Sequence, residues 1–591
     1  MFRSEWRVAL TVCIVLSAYA VAVAEPILNH LPHDAIGFVA VRNLASTNRK
    51  IEQVERVFQH LAPQPLPAPL PTLKAATGLG PGLNEEGDAL LAILPGSDGA
   101  RSEPIPLLLI AVADYAAFAD TISADASGEI CRVTIAGQEV LAAKRGGYAA
   151  LMNVDNRDRF ESLLAAEAAP LRELASLDEW LARVDAAAVV TPAGVDMLAA
   201  MAREDLAREK AEMEEQLRGA QFENMLEQAQ QGLAIYDKVL GFLGKKVEGA
   251  AIGLAIDDRN NVKLLTQLVL ADESGTAGSV ASGVSEGPFA GLPDELFVAA
   301  AGGPVSAGFS EAMAKLSRGM LETYPSVYGF ESLTDDQWST LEESWRDSMS
   351  GLRHFSLIML PGTEEEPLYS NVYGVLKVDN SAEFLKRYAR AMEVWNGLVK
   401  KSTAELKLEY KIEQVEVAGK AGVLTSADVG EAAYDENVPG VQRLMEAMFG
   451  EDGVMRTYAV AADETTVVLA VADQQRAAAA VEQALKRDRR LGSAPLVQAT
   501  TGLLDQQAPW QMLISLRGGV FWVERIINTL AAHLGGRRAP DLPEFPETPP
   551  LGVSVNVTRQ HFTAELVWPA ETLKGLAVFL DEFIKAFMAA A

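Results

Sequence analysis

One stretch of this chain has the spacing of an acyl-transfer nucleophile. Gly283-Val284-Ser285-Glu286-Gly287 fits G-x-S-x-G, in which a serine sits on a sharp turn between a strand and a helix. That chemistry needs a strand directly before the serine, a helix directly after it, and a histidine brought to its hydroxyl. Here the motif lies in 274–291, rich in Gly, Ser and Ala, and Pro288 follows at once. The stretch therefore reads as an inter-domain linker, with an exported serine hydrolase using Ser285 as the alternative function.

The rest of the reactive inventory is sparse. Six histidines are present, at 30, 33, 60, 354, 533 and 561, with no H-E-x-x-H and no pair at helical spacing. His30, His33 and Asp34 could together touch a metal, but a site needs three or four fixed ligands and this is an N-terminal segment. The acidic runs at 85–88, 257–258, 335–336 and 364–366 read as solvated turns, because none follows the alternating Asp/Asn pattern of a calcium loop. Gly78-Leu79-Gly80-Pro81-Gly82 follows what reads as a helix end, where a phosphate-binding loop would follow a strand, so it reads as a helix stop and turn. Cys131 lies in the alternating run Glu129 to Ile135 and is expected to be a small buried side chain. No catalytic residue, metal or cofactor is expected from this pattern, which argues against an enzyme.

The address is more legible than the chemistry. Arg3 and Arg7, the apolar run 8–23 and Ala22-Val23-Ala24 have the layout of a secretory signal cleaved before Glu25. No later segment has the ~20 unbroken apolar residues of a membrane span. The expectation is an exported protein, in the periplasm or outside the cell. Cleavage would leave Cys131 as the one cysteine, which excludes an internal disulfide. A formal charge of −29 argues against nucleic acid as a partner, since two polyanions repel. An unidentified protein or envelope component is the expected partner.

Any site must be positioned by elements that occur twice. Leu94-Pro95-Gly96 closes an apolar strand-like run, and Leu360-Pro361-Gly362 closes another. At the same offset, the strand-to-helix junction at 112–118 meets the one at 378–384. Leu31-Pro32-His33-Asp34 before the strand at 37–41 answers Leu292-Pro293-Asp294-Glu295 before 297–300. Ala136-Gly137 answers Ala418-Gly419, and the strand pair 141–155 answers 459–473, which makes Asp155 and Asp473 helix N-cap candidates. The last pair of each half splits at 257–261 and at 558–560, predicting hairpins.

Paired strands alternating with single helices predict an α+β fold, two duplicated halves of mostly antiparallel sheet with helices on one face. The predicted layout is a signal peptide at 1–24, a first half at 25–274, a linker at 275–291 and a second half at 292–591. The halves differ by insertions. Residues 195–243 carry Leu198, Met201, Leu206, Met213, Leu217, Leu226 and Leu233 near helical spacing, a helix too long to stay within one domain unless it folds back. A second insertion, 334–351, places Trp338, Leu341, Trp345 and Met349 on one helical face, expected to bury against the neighbouring sheet. The prolines at 63, 65, 67, 69 and 71 describe a stiff linker without a P-x-x-P face.

Leu31-Pro32-His33-Asp34-Ala35, the junction Val112-Ala113-Asp114-Tyr115-Ala116-Ala117-Phe118 and the turn Ala136-Gly137, behind a signal peptide, resemble a group of exported bacterial proteins of unknown function. The resemblance implies export and a duplicated α+β unit. It implies no activity, ligand or site residue. Together these readings predict a non-enzymatic exported protein that acts by binding, through the helical insertion at 195–243 or through a cleft between the halves.

Overall fold

The computed structural model describes residues 27–59, 61, 70–71, 74, 80–96, 103–122, 124, 128–135, 137–167, 177–216, 247–271, 287–306, 333–363, 366–399, 409–428, 441–450, 453–486, 490–533, 541–558 and 560–590. Within them, nineteen strands and twelve helices form an antiparallel α+β protein, the fold class expected. Contacts divide the chain into two units, Met1–Ser274 with Gln560–Ala564, and Gly275–Arg559 with Glu565–Ala591.

The first unit contains β1 (Gly37–Val41), β2 (Ala89–Leu94), β3 (Ile105–Ala111), β4 (Cys131–Ile135), β5 (Gln138–Arg145), β6 (Tyr148–Asn153), β7 (Ala186–Val190), β8 (Val247–Ile256) and β9 (Val262–Leu270). Its helices are α1 (Leu44–Phe58), α2 (Tyr115–Thr121), α3 (Arg157–Ala165), the single turn α4 (Asp178–Leu181) and α5 (Pro192–Gln216). The strands run β4-β5-β6-β3-β2-β1-β7-β8-β9, antiparallel throughout. Leu270 also donates its N–H to Gln560 O at 2.7 Å, and Gln267 Nε2 lies 3.3 Å from His561 Nδ1, so the short segment at 560–564 sits beside β9.

The second unit contains β10 (Ala299–Pro304), β11 (Leu352–Met359), β12 (Val372–Val378), β13 (Tyr410–Val417), β14 (Lys420–Asp428), β15 (Val454–Ala461), β16 (Thr466–Val471), β17 (Trp510–Ile514), β18 (Leu551–Val557) and, from Glu565 onward, β19 (His561–Trp568). Its helices are α6 (Asp335–Met349), α7 (Ser381–Val399), α8 (Val441–Phe449), α9 (Gln474–Leu485), α10 (Pro495–Thr501), α11 (Leu516–His533) and α12 (Ala570–Ala590). The strands run β13-β14-β15-β16-β12-β11-β10-β17-β18, again antiparallel.

Helices cover both faces of each sheet, where one face was expected. Alternate residues of β3 and β6 point to opposite sides. Leu107, Leu109, Ala150 and Met152 join Phe160 and Leu163 of α3 in one core, and Ile110, Ala149 and Leu151 join Leu44 of α1 and Phe118 of α2 in another. The second unit repeats the arrangement, with Ala477 and Val481 of α9 in one core and Phe384 and Leu385 of α7 in the other. The reason is visible in β2, Ala-Leu-Leu-Ala-Ile-Leu, which is apolar at every position. A strand that faced water on one side would alternate.

The turns bear out the local reading except at one cap. Asp114 accepts from the Ala116 and Ala117 N–H groups at the start of α2, and Asp473 accepts from Arg476 N at 2.8 Å at the start of α9. Asp155 is not an N-cap. It lies in a 3-10 turn where its own N–H donates to Asn153 Oδ1 at 3.0 Å, and Asn156 occupies the cap position of α3. The Gly80–Gly82 segment is a turn. Gly82 has φ +80°, and a Cβ there would lie 2.3 Å from Phe118 N, so the glycine lets this backbone touch the start of α2.

The insertion at 334–351 forms α6, opened by a capping box between Thr334 and Gln337. Trp338 and Leu341 bury against Leu398 of α7, with Val394 and Trp395 beside them. They pack on a helix, not on the sheet as expected, because α7 already occupies that face. Of the insertion at 195–243, α5 accounts for the part up to Gln216, and the remainder lies outside the described residues. The prolines from 63 to 69 also lie outside them.

A charged cavity in the first unit

The residues singled out for chemistry do not converge. Ser285 lies outside the described residues, and the motif's final glycine runs into a turn, with Ala290 N–H bonded to Gly287 O at 3.1 Å. His30 is buried with its ring edge-on to Tyr148 at 5.1 Å. Asp34 pairs with Arg159, and His33 is exposed. Among the described residues no group of three or more His, Cys, Asp or Glu could hold a metal ion. Cys131 is buried in β4, its sulfur 3.7 Å from Gly128 O.

A cavity of about 1110 Å³ opens instead in the first unit, between α3, the turn joining β5 to β6, the bend before β4, and the first residue of α2. Its charged lining comprises Lys144, Arg145, Arg157, Glu129 and Glu161. Helix α3 supplies one wall. Arg157, Glu161, Leu164 and Ala165 fall at i, i+4, i+7 and i+8, a single helical face, while Phe160 and Leu163 turn inward to the core. The sequence Arg-Asp-Arg-Phe-Glu-Ser-Leu-Leu-Ala is thus amphipathic, and its polar stripe lines the cavity.

The end of β5 supplies the opposite wall. Strand alternation turns Arg145 inward and leaves Lys144 exposed, and the Gly146-Gly147 turn, with Gly146 at φ +60°, returns the chain at once. Arg145 Nη1 donates to Leu163 O, and to Ala166 O at 3.3 Å. Its guanidinium therefore sits on the carbonyls that close α3 and offsets the negative end of the helix dipole. At the other end, Arg157 Nε donates to Glu161 Oε1 at 2.8 Å. Lys144 and Glu129 have no ionic partner among the described residues.

Tyr115 adds a neutral group. Its hydroxyl is closed off from water and has no hydrogen-bond partner among the described residues. Burial, with a smaller push from Cys131, raises its ionisation to about 12, so it stays a phenol at ordinary pH. Of the cavity's lining, only His30 is a residue that the sequence singles out for chemistry, and there as a metal ligand. The available signal was Lys144-Arg145 and Arg157-Asp158-Arg159 clustered within a strongly acidic chain.

The second unit also gathers charged groups, around Glu366. Arg476 pairs with Glu366, Asn371 Nδ2 donates to Glu366 Oε2 at 3.3 Å, and Arg525 donates to the carbonyls of Pro361 and Glu366. Each member of this cluster is engaged by another or by backbone, which ties Pro361, Glu366 and Asn371 to α9 and α11.

The fold and site together define an antiparallel α+β protein of two units, the first carrying a charged cavity. No family model, curated protein or solved structure matches the chain.

Proposed function

We propose that this is an exported, non-enzymatic binding protein that holds a small ligand in the cavity of its first unit. The cavity carries the reading: it is large enough for a small molecule, with walls set by a helix face and a glycine turn. No serine–histidine–carboxylate constellation accompanies it among the described residues. Export is supported by the charged start, apolar run and Ala-Val-Ala site in 1–24.

Protein docking through 195–243 is the second reading. It is favoured by Leu198 and Met201 on α5, which are 51% and 41% exposed.

We also infer that the units descend from one ancestor. Both sheets place the first strand between the second strand and the strand that precedes α5 or α11. Each of those helices opens on a hydroxyl cap, with Gly194 N–H to Thr191 Oγ1 at 3.2 Å and Gly518 N–H to Ser515 Oγ at 3.1 Å. In each, the glycine allows close approach to a carbonyl just before the first strand, Ile36 O or Phe297 O. The second unit has one strand more.

Two experiments test the functional reading. Ligand-observed NMR on residues 25–591 against a mixed small-molecule library should find binders that Lys144→Glu weakens, and binders indifferent to every cavity substitution would sink the ligand site. Mass spectrometry of the protein recovered from the envelope or medium should find a start at Glu25. A product that keeps 1–24 would end the cleaved-export reading.

A further inference from the structure

We propose that the cavity of the first unit is an oxyanion site, taking a small carboxylate or phosphate compound through Lys144 and Arg157. This rests on the reading of the cavity as a ligand site and names its chemistry.

The argument begins with charge. The chain carries −29 overall, so an anion approaching most of its surface is repelled. The cavity is an exception, because its lining holds three cations, Lys144, Arg145 and Arg157, against two carboxylates, Glu129 and Glu161. The disposition of α3 adds to this. Its first residue, Arg157, stands at the positive end of the helix dipole, while Arg145 occupies the negative end and offsets it. The unfavourable pole of the helix, which borders the cavity at Leu164, Ala165 and Ala166, is thus neutralised.

Two donors remain for a ligand. Lys144 has no partner among the described residues, and Arg157 spends its Nε on Glu161 while its terminal Nη groups are uncommitted. Each can bond an oxygen of a carboxylate or phosphate, Lys144 through its ammonium and Arg157 through its guanidinium. Tyr115, un-ionised and with its hydroxyl closed off from water, borders the same space and adds no negative charge to it.

The test is calorimetric titration of residues 25–591 at low salt with inorganic phosphate, glycerol 3-phosphate and succinate, alongside glycerol and cadaverine as neutral and cationic probes. At least one anion should bind, more weakly as salt is added, and the comparison of phosphate with succinate assigns the head group. Lys144→Ala and Arg157→Ala should each weaken it about tenfold, the scale of one charge-assisted hydrogen bond, and Lys144→Arg should restore binding. Both side chains are exposed, so circular dichroism should be unchanged in these variants. Glycerol or cadaverine binding without any anion would overturn the oxyanion assignment and leave the ligand site standing. Anion binding that survives Lys144→Ala with Arg157→Ala would place the anion elsewhere and overturn it too. If all five probes are silent, the oxyanion assignment falls, and the library screen decides the ligand site separately.

Discussion

Arg145 is the residue on which the cavity wall depends. Its guanidinium serves carbonyls that end α3, and no other cation among the described residues is bonded to those two oxygens. Arg145→Met keeps an unbranched apolar stem but leaves the carbonyls of Leu163 and Ala166 without that donor, so a loss of about 2 kcal/mol is expected in urea unfolding. Tyr115 gives a pH-dependent counterpart. Its folded-state ionisation lies above the usual 10, at about 12, so across that window the folded form keeps a proton the unfolded form releases. Stability should therefore fall as pH rises from 10 towards 12, and Tyr115→Phe should flatten the fall. Ultraviolet titration of the phenolates in the two proteins provides the check: the variant should lose absorbance from the step near 12 and none from the step near 10.

At the scale of elements, two aspartates that look alike in sequence stand in different places. Asp473 bonds to the Arg476 N–H and starts α9, so Asp473→Ala should cost about 1 kcal/mol. Asp155 has the same position relative to its strand pair but caps nothing, and Asp155→Ala should stay within about 0.5 kcal/mol. Equal losses in the two variants would contradict the observed caps. The difference was illegible because the cap depends on where the chain turns. An extra 3-10 turn at Val154–Asn156 moves the cap position to Asn156. Strands and turns were far more legible, since Leu94-Pro95-Gly96 and Leu360-Pro361-Gly362 each mark a strand end by local stereochemistry alone. The two-sided cover of the sheets was legible too, in the unbroken apolar run of β2, which lacks the alternation of a strand with one face in water.

At the scale of the whole molecule, the first unit is not a continuous piece of chain. Gln560–Ala564 belongs with it, and Leu270 N–H bonds to Gln560 O. A fragment of residues 25–274 should therefore present an unsatisfied β9 edge. A synthetic peptide of residues 558–566 should raise the fragment's melting temperature in a concentration-dependent way, and a peptide of the same composition in scrambled order should not. If the fragment is equally stable with and without the peptide, the segment adds nothing to that unit.

What could be read from residue order alone was whatever depends on neighbours in the chain. That includes the signal-like start, the strand ends at Pro-Gly, the Asp473 cap, the hairpin at 257–261 and the α+β class. These follow from backbone stereochemistry and short-range hydrogen bonds. The cavity could not be read this way. Its walls come from His30, Tyr115, Glu129, Lys144 and Arg157, which are brought together by strand pairing over long separations. Whether Arg145 faces solvent or the end of α3 depends on how α3 crosses the sheet, and residue order does not encode that crossing locally. Folding set Arg145 on those carbonyls and left Lys144 and Arg157 at the mouth of a cavity, because the apolar faces of α3 and β5 had to bury and their charged residues were carried to its rim.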